Sequence, residues 1–283
     1  MVGDKKLTPR SLSIKTIKYL SVLLAALITL LPLVVVFFGS FKTNKELLTT
    51  NPLTPPKDFL NFSNYIKAFV DGNMVTGFSN TAIILAISLV LTVLTGSMTA
   101  YVLSRFKFRG SKMVRSLFLI ASLIPSITMQ ISTFQIIKGM GLYNTRAGVI
   151  LLFAGTDIIS IYIFLQFMNS IPRDLDEAAI IDGASFPRIF FNIIMPLLKP
   201  AVATVAVIKG VGFYNDFITP NLYMKKTDLA VISTALYKFK GPYSTEWEVI
   251  LAGCAITMIP TLIIFLLLQK WIYAGLTAGS VKG

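Results

Sequence analysis

Six stretches of this chain are each long and apolar enough to cross a bilayer as a helix, which takes about 20 residues. They run from about Tyr19 to Phe38, Ala82 to Leu103, Leu117 to Ile137, Ala147 to Met168, about Leu197 to Ile218, and Val249 to Leu268. The fourth contains Asp157, and the fifth contains Lys199 near its start, Lys209 and Asp216. Backbone N–H and C=O groups in hydrocarbon must pair within their own segment, so spans of this length are helices. Barrel strands are about half as long and alternate in polarity. The remaining charges crowd between the spans. Only 14% of the residues are charged, against about 25% in a soluble domain.

Basic loops set the expected orientation. The N-terminal stretch carries Lys5, Lys6, Arg10, Lys15 and Lys18, and the loop after the second span carries Arg105, Lys107, Arg109, Lys112 and Arg115. Short loops rich in Lys and Arg stay on the cytoplasmic side, so both termini are expected inside. The segments 39–77 and 221–248 then lie outside. The same rule accounts for 26 Lys+Arg against 13 Asp+Glu without invoking nucleic acid. The first apolar run is longer than a secretory h-region and is followed by the poor cleavage candidate Gly39-Ser40-Phe41-Lys42, so it reads as a retained span.

One cysteine, Cys254, and no histidine argue against an internal disulfide, a metal or haem site and a histidine base. No G-x-x-x-x-G-K-[ST] segment occurs, so the chain has no nucleotide-cradling loop of that kind. A membrane-embedded enzyme would need converging nucleophiles or paired acids in the spans, and Asp157 is the lone deep acid.

The segment Ser170 to Pro200, between the fourth and fifth spans, carries the most information. Asp174, Asp176 and Glu177 suit the first turns of a short helix, where the dipole favours negative charge. Gly183 is placed to stop it. Ser185 and Pro187 suit the start of a second helix, whose Ile189, Phe190, Ile193 and Ile194 form an apolar stripe that Pro196 is expected to end. A helix of about nine residues is marginal alone in water, so either the rest of this chain or a partner's groove must hold it.

The run E-A-A-I-I-D-G-A followed by I-I-M-P resembles the cytoplasmic loop of ABC importer permeases. Glu177, Ala178, Ala179, Asp182, Gly183 and Pro196 match it position by position, with Met195 where leucine is commoner. S-M-T-A-Y-V-L-S-R-F-K-F-R-G (97–110), the pair Asn80-Thr81, F-Y-N-D-F-I-T-P (213–220) and the end from Ile259 to Gly283 resemble the carbohydrate-uptake branch, in its smaller six-span subunit. That resemblance implies an all-α membrane protein with the type I ABC importer permease fold in a bacterial cell membrane. Residues 1–77 would hold the N-terminal tail, first span and an outer segment. Residues 78–272 would form the permease core with its coupling loop at 170–200, and 273–283 a cytoplasmic tail whose Ser280, Lys282 and Gly283 reach an ATPase. It implies a heterodimer with a second permease, two cytoplasmic ATPase subunits holding ATP and Mg, and an extracytoplasmic solute-binding protein. This chain itself is expected to bind no cofactor and to be no enzyme. Polyamine or phosphate-ester cargo would suit the same fold, but the span-five and C-terminal segments argue for sugar.

Charged groups inside a span are costly and face a cavity or a partner. Asp157, Lys209 and Asp216 are therefore the candidates for the solute path. Phe213, Tyr214 and Asn215 add the aromatic and planar hydrogen-bonding groups that suit sugars. Lys209, Gly212, Phe213 and Asp216 are spaced to share one helix face. Lys209 is either a path cation suited to an acidic sugar or the ion-pair partner of Asp157, and the sequence leaves both open.

Overall fold

The computed structural model describes residues 9–155, 157–241 and 244–278. Among them the regular structure is helical, apart from one isolated antiparallel bridge between Lys240 and Thr245. The first helices are α1 (Pro9–Phe41), α2 (Asn44–Thr49), α3 (Ser63–Asp71), α4 (Met74–Arg105) and α5 (Ser111–Ser122). Next come α6 (Gln130–Gly139), α7 (Arg146–Ala154), α8 (Ile158–Ser170), α9 (Asp174–Ile181) and α10 (Phe186–Ile189). The last are α11 (Met195–Leu197), α12 (Lys199–Asn215), α13 (Ile218–Tyr223), α14 (Ile232–Ala235) and α15 (Trp247–Ala278).

Among the described residues three helices are long and apolar enough to span a membrane unbroken: α1, α4 and α15. Three bent helix pairs also qualify by length and composition, which makes up to six candidate spans if each pair is one span. The third expected span is not continuous. Helix α5 and the 127–139 helix meet at 90°, and the break falls at Pro125, which lacks an N–H and disfavours the α region for the residue before it. Pro125 itself is extended, at φ −60° and ψ 126°. The fourth span is bent by 43° between α7 and α8. The Asp157 carboxylate caps the new helix there, accepting from the Ser160 N–H at 3.0 Å. The fifth expected span ends early, at Asn215, because Asp216 leaves the helical region with ψ 111°.

Pro196 does not end the helix over the apolar stripe. The chain from Phe186 runs through a π-helical turn, Phe190–Ile194, into α11, where Pro196 sits in the first turn. A first-turn position has no intrahelical N–H bond to lose, so the ring is tolerated. The 74° bend comes just after α11, before α12 begins at Lys199. Ser185 precedes α10 as expected, although its side chain makes no capping bond.

Two compact units divide the chain. One comprises Met1–Gly72 with Leu236–Met258. Its core holds Ala68, Phe239, Val249 and Ala252, packed against Tyr65, Leu236, Ile250 and Ile256. The buried Lys42 ammonium donates to Thr50 Oγ1 at 2.9 Å and to the Asn51 carbonyl at 3.0 Å. At its edge Lys67 pairs with Glu246, and that hydrogen bond raises the Lys67 pKa above its ordinary value. Residues 15–34 of α1 are exposed all round, as suits a helix solvated by lipid.

The other unit comprises Asn73–Ala235 with Ile259–Gly283, and α4 is its central element, packing on α7, α8, α12 and α14. The buried stripe of α4 is Ser88, Thr92, Gly96, Ala100 and Ser104, one small residue every four positions. Small residues at that spacing let helices approach closely in lipid. A Cβ on Gly96 would lie 3.3 Å from the Phe164 ring of α8. Below this contact Tyr101, Phe164, Met168, Ile189, Ile194, Leu198 and Val205 close the core.

Candidate functional site

Helix α9 presents two faces. Asp174, Asp176 and Glu177 occupy its first turn, as the dipole favours. Asp176 and Ala179 are buried, while Glu177, Ala178, Asp182 and Gly183 are exposed. Ile181 is 86% exposed. The helix stops where Gly183 adopts φ +78°. The Ala184 N–H donates to the Ala179 carbonyl at 2.9 Å and the Gly183 N–H to the Ile180 carbonyl at 3.0 Å. This is the paired bonding of a Schellman end.

Its buried face is tied to α4. Asp176 Oδ2 lies 3.0 Å from Arg105 Nε, and the Tyr101 hydroxyl donates to Asp176 Oδ1 at 3.1 Å. Arg105 also donates to the Ile171 carbonyl at 3.0 Å, and Arg173 to the Ser104 carbonyl at 2.7 Å.

The candidate path residues do not all converge. Asp157 and Lys209 form an ion pair whose side chains are 11% and 17% exposed. The Lys209 ammonium is thus compensated within this chain, which removes the premise of a free path cation. One Asp157 oxygen caps α8 and the other meets Lys209. Phe213 stacks on Phe153, with ring centroids 4.4 Å apart and planes 8° apart. These two rings, Asp157 and Ser122 line an open recess of about 380 Å³. Tyr214 is half-buried in a narrow crevice with Thr81, Pro220 and Ser233. Asn215 is exposed and bonds back to the Val211 carbonyl at 2.9 Å. Asp216 does not share the helix face of Lys209. It caps the next helix, accepting from the Thr219 N–H at 3.0 Å and the Thr219 hydroxyl at 2.6 Å. Among the described residues no group of three His, Cys, Asp or Glu could hold a metal ion. Ser280, Lys282 and Gly283 lie outside the described residues.

Residues 92–278 match the family model described as binding-protein-dependent transport system inner membrane component. The chain belongs to this permease family. It is 34% identical over 271 residues to the probable starch degradation products transport system permease protein AmyC of Thermoanaerobacterium thermosulfurigenes, covering 94% of this chain and 97% of that one. It is 32% identical over 260 residues to the arabinooligosaccharides transport system permease protein AraQ of Halalkalibacterium halodurans, covering 91% and 93%. The fold matches a chain of a bacterial ABC transporter involved in import of the acidic polysaccharide alginate, with TM-score 0.82, 20% identity and coverage of 93% and 98%. Within this family frame, residues 92–278 contain α9, the Asp157–Lys209 pair and both Asp176 partners.

Sequence reasoning placed Asp176 only in the first turn and missed its partners. The available signal was its three-residue spacing from Ala179, which puts both on one face. Phe153 was also missed, four residues before Asp157 on the same broken span.

Gly183 provides a test of the α9 end. No atom lies within 4 Å of the Cβ position, so a side chain there meets backbone strain and no clash. Gly183→Val is expected to destabilise the turn by about 1–2 kcal/mol, the cost of a left-handed conformation for an ordinary residue. Gly183→Asn should lose much less, because Asn tolerates that region. Protease protection of the 181–186 segment in the detergent-purified protein reports the difference.

Proposed function

We propose that this chain forms one half of the membrane pathway of an ATP-driven importer for a di- or oligosaccharide. The observation that carries the reading is the two-faced α9. Its inner face is anchored to the spans, while Glu177, Ala178 and Ile181 are held out for another chain. An eight-residue helix cannot persist by propensity alone, so its anchored face pre-orders the exposed one for docking. The absence of a phosphate-cradling motif in the sequence assigns hydrolysis to separate ATPase subunits, which hold the ATP and Mg. Both relatives named above carry saccharide transport in their descriptions, and that supports sugar as the cargo.

In this reading a solute-binding protein delivers the cargo from outside to a heterodimer of this chain and a second permease. Both termini and α9 face the cytoplasm. Closure of the ATPase dimer displaces α9 and turns the cavity outward; hydrolysis resets it. Asp157, Lys209, Phe213 and Tyr214 border the path, with Phe153 added as the ring stacked on Phe213. The neutral Asp157–Lys209 pair makes a neutral sugar face the better fit at this subunit. Ser280, Lys282 and Gly283 extend toward the ATPase.

Glu177→Lys tests the docking. A reversed charge inside an interface costs about 2 kcal/mol or more. The variant should insert normally, lose ATPase co-purification and lose uptake of labelled maltooligosaccharide. Normal ATPase retention and normal uptake would overturn the reading. Uptake competed by spermidine but by no oligosaccharide would overturn the cargo.

A further inference from the structure

α9 touches the rest of its unit through a charged contact at the end of α4. The Asp176 carboxylate is enclosed by the Arg105 guanidinium, 3.0 Å away, and the Tyr101 hydroxyl, 3.1 Å away. The two charged side chains are 8% and 11% exposed. The Tyr101 ring is itself wedged between Phe106 and Phe190, with centroids 5.9 Å and 5.4 Å away. Two further bonds, from Arg105 to the Ile171 carbonyl and from Arg173 to the Ser104 carbonyl, fasten the chain entering α9 to the end of α4. The remaining contact of the inner face is apolar, through Ala179 to the core.

These two kinds of contact respond differently to force. An apolar contact slides, because burial is non-directional. A buried ion pair does not slide, because separating it leaves a charge uncompensated in a low dielectric. A push on the outer face of α9 therefore reaches α4 through the Asp176 ion pair, among the described residues the one charged contact made by the helix's own buried face. α4 in turn packs on α7, α8 and α12, which carry the Asp157–Lys209 pair.

We propose that Asp176, clamped by Arg105 and Tyr101, is the positioning residue through which movement of α9 is transmitted to the spanning helices. The proposal rests on the reading of α9 as the ATPase-docking helix. It assigns the inner face a task that docking does not require. Docking needs the exposed residues held in place; transmission needs the clamp to stay closed under load.

The test uses the complete transporter reconstituted with its ATPases and solute-binding protein, and measures ATP hydrolysed per sugar imported. Asp176→Asn keeps the shape and removes the charge. It is expected to retain the ATPase subunits and hydrolyse near the normal rate while uptake falls about tenfold, within the range by which single residues modulate coupling. Asp176→Glu should restore most of the uptake. Tyr101→Phe removes one bond and should raise the ATP used per sugar by a smaller, few-fold factor. A normal ratio of ATP to sugar in Asp176→Asn overturns the proposal. So does loss of uptake together with loss of the ATPase subunits, which would make the clamp a docking element. If Asp176→Asn does not assemble, Tyr101→Phe decides alone, and a normal ratio there is equally fatal. Failure of the docking reading is distinguishable, because it appears as ATPase retention in Glu177→Lys.

Discussion

Asp157→Leu is expected to destabilise the protein by about 3–5 kcal/mol, because it strands the Lys209 ammonium in a largely buried site. The two side chains are 11% and 17% exposed, so water screens the remaining charge poorly. The same change removes the cap that accepts from the Ser160 N–H, worth a further ~1 kcal/mol. Lys209→Met is the milder single variant. It leaves a carboxylate, but that carboxylate sits at the N-terminus of α8, where the dipole favours it. The double variant Asp157→Asn with Lys209→Met keeps a capping oxygen and leaves no charge, and it should be close to neutral. Thermal unfolding of the purified protein in detergent orders the three. The order Asp157→Leu well below Lys209→Met, with the double variant near the unsubstituted chain, identifies a structural pair. Equal Tm values for Asp157→Leu and the unsubstituted chain would show that Lys209 does not depend on Asp157. The double variant should also import the same cargo, since it alters no net charge along the path.

The three unbroken spans were legible because a bilayer sets one requirement, length of apolar chain, that composition reports directly. The acidic first turn of α9 and its stop at Gly183 were legible for a similar reason: helix ends are governed by local electrostatics and by backbone conformation. The breaks were less legible. Hydropathy counts side-chain transfer and is blind to the missing N–H of Pro125, although the proline stood in plain view within the third stretch. Pro196 misled in the opposite sense. Its cost depends on whether the preceding turn is regular, and the π-helical turn at Phe190–Ile194 supplies a fresh start that no short-range pattern announces. The pairing of Asp157 with Lys209 spans fifty-odd positions, and spacing alone is equally consistent with a lined cavity. Asp176 lay inside a recognised stretch but beside Glu177, and only the packed helix distinguishes the inward carboxylate from the outward one. The small-residue stripe of α4 was readable at four-residue spacing and went unread because the span was already explained by its hydropathy.

At the far end of α4 from α9, about 38 Å away along the helix axis, Asn80 closes a second polar junction, and its loss should be nearly as costly. Its side chain is 1% exposed. The amide donates to the Asp228 carbonyl at 2.9 Å and the Ala230 carbonyl at 2.8 Å, while its oxygen accepts from Arg146 Nε at 2.9 Å. The neighbouring Thr81 hydroxyl accepts from the Ile232 N–H at 2.9 Å. Asn80-Thr81 therefore pins the chain from Asp228 to Ile232 onto α4 and ties it to the start of α7. Asn80→Leu has a similar volume but no polar atoms, so two carbonyls lose their donors at about 1–3 kcal/mol for each one left buried and unpaired. A total near 3 kcal/mol is expected. It should be confined to this end of the unit, because α4 is rigid and α9 makes none of these bonds. Arg146→Met removes an exposed side chain from the junction and should cost less than ~1 kcal/mol. Amide hydrogen exchange on the assembled transporter reads the effect locally. Asn80→Leu should speed exchange across 228–235 by an order of magnitude or more and leave 174–184 unchanged. Slow exchange across 228–235 in that variant would mean the segment is held by its apolar side chains, with Asn80 a passenger. If the 174–184 amides also quickened, the two ends of α4 would be one cooperative unit, and the clamp at Asp176 could not be studied in isolation from the junction at Asn80.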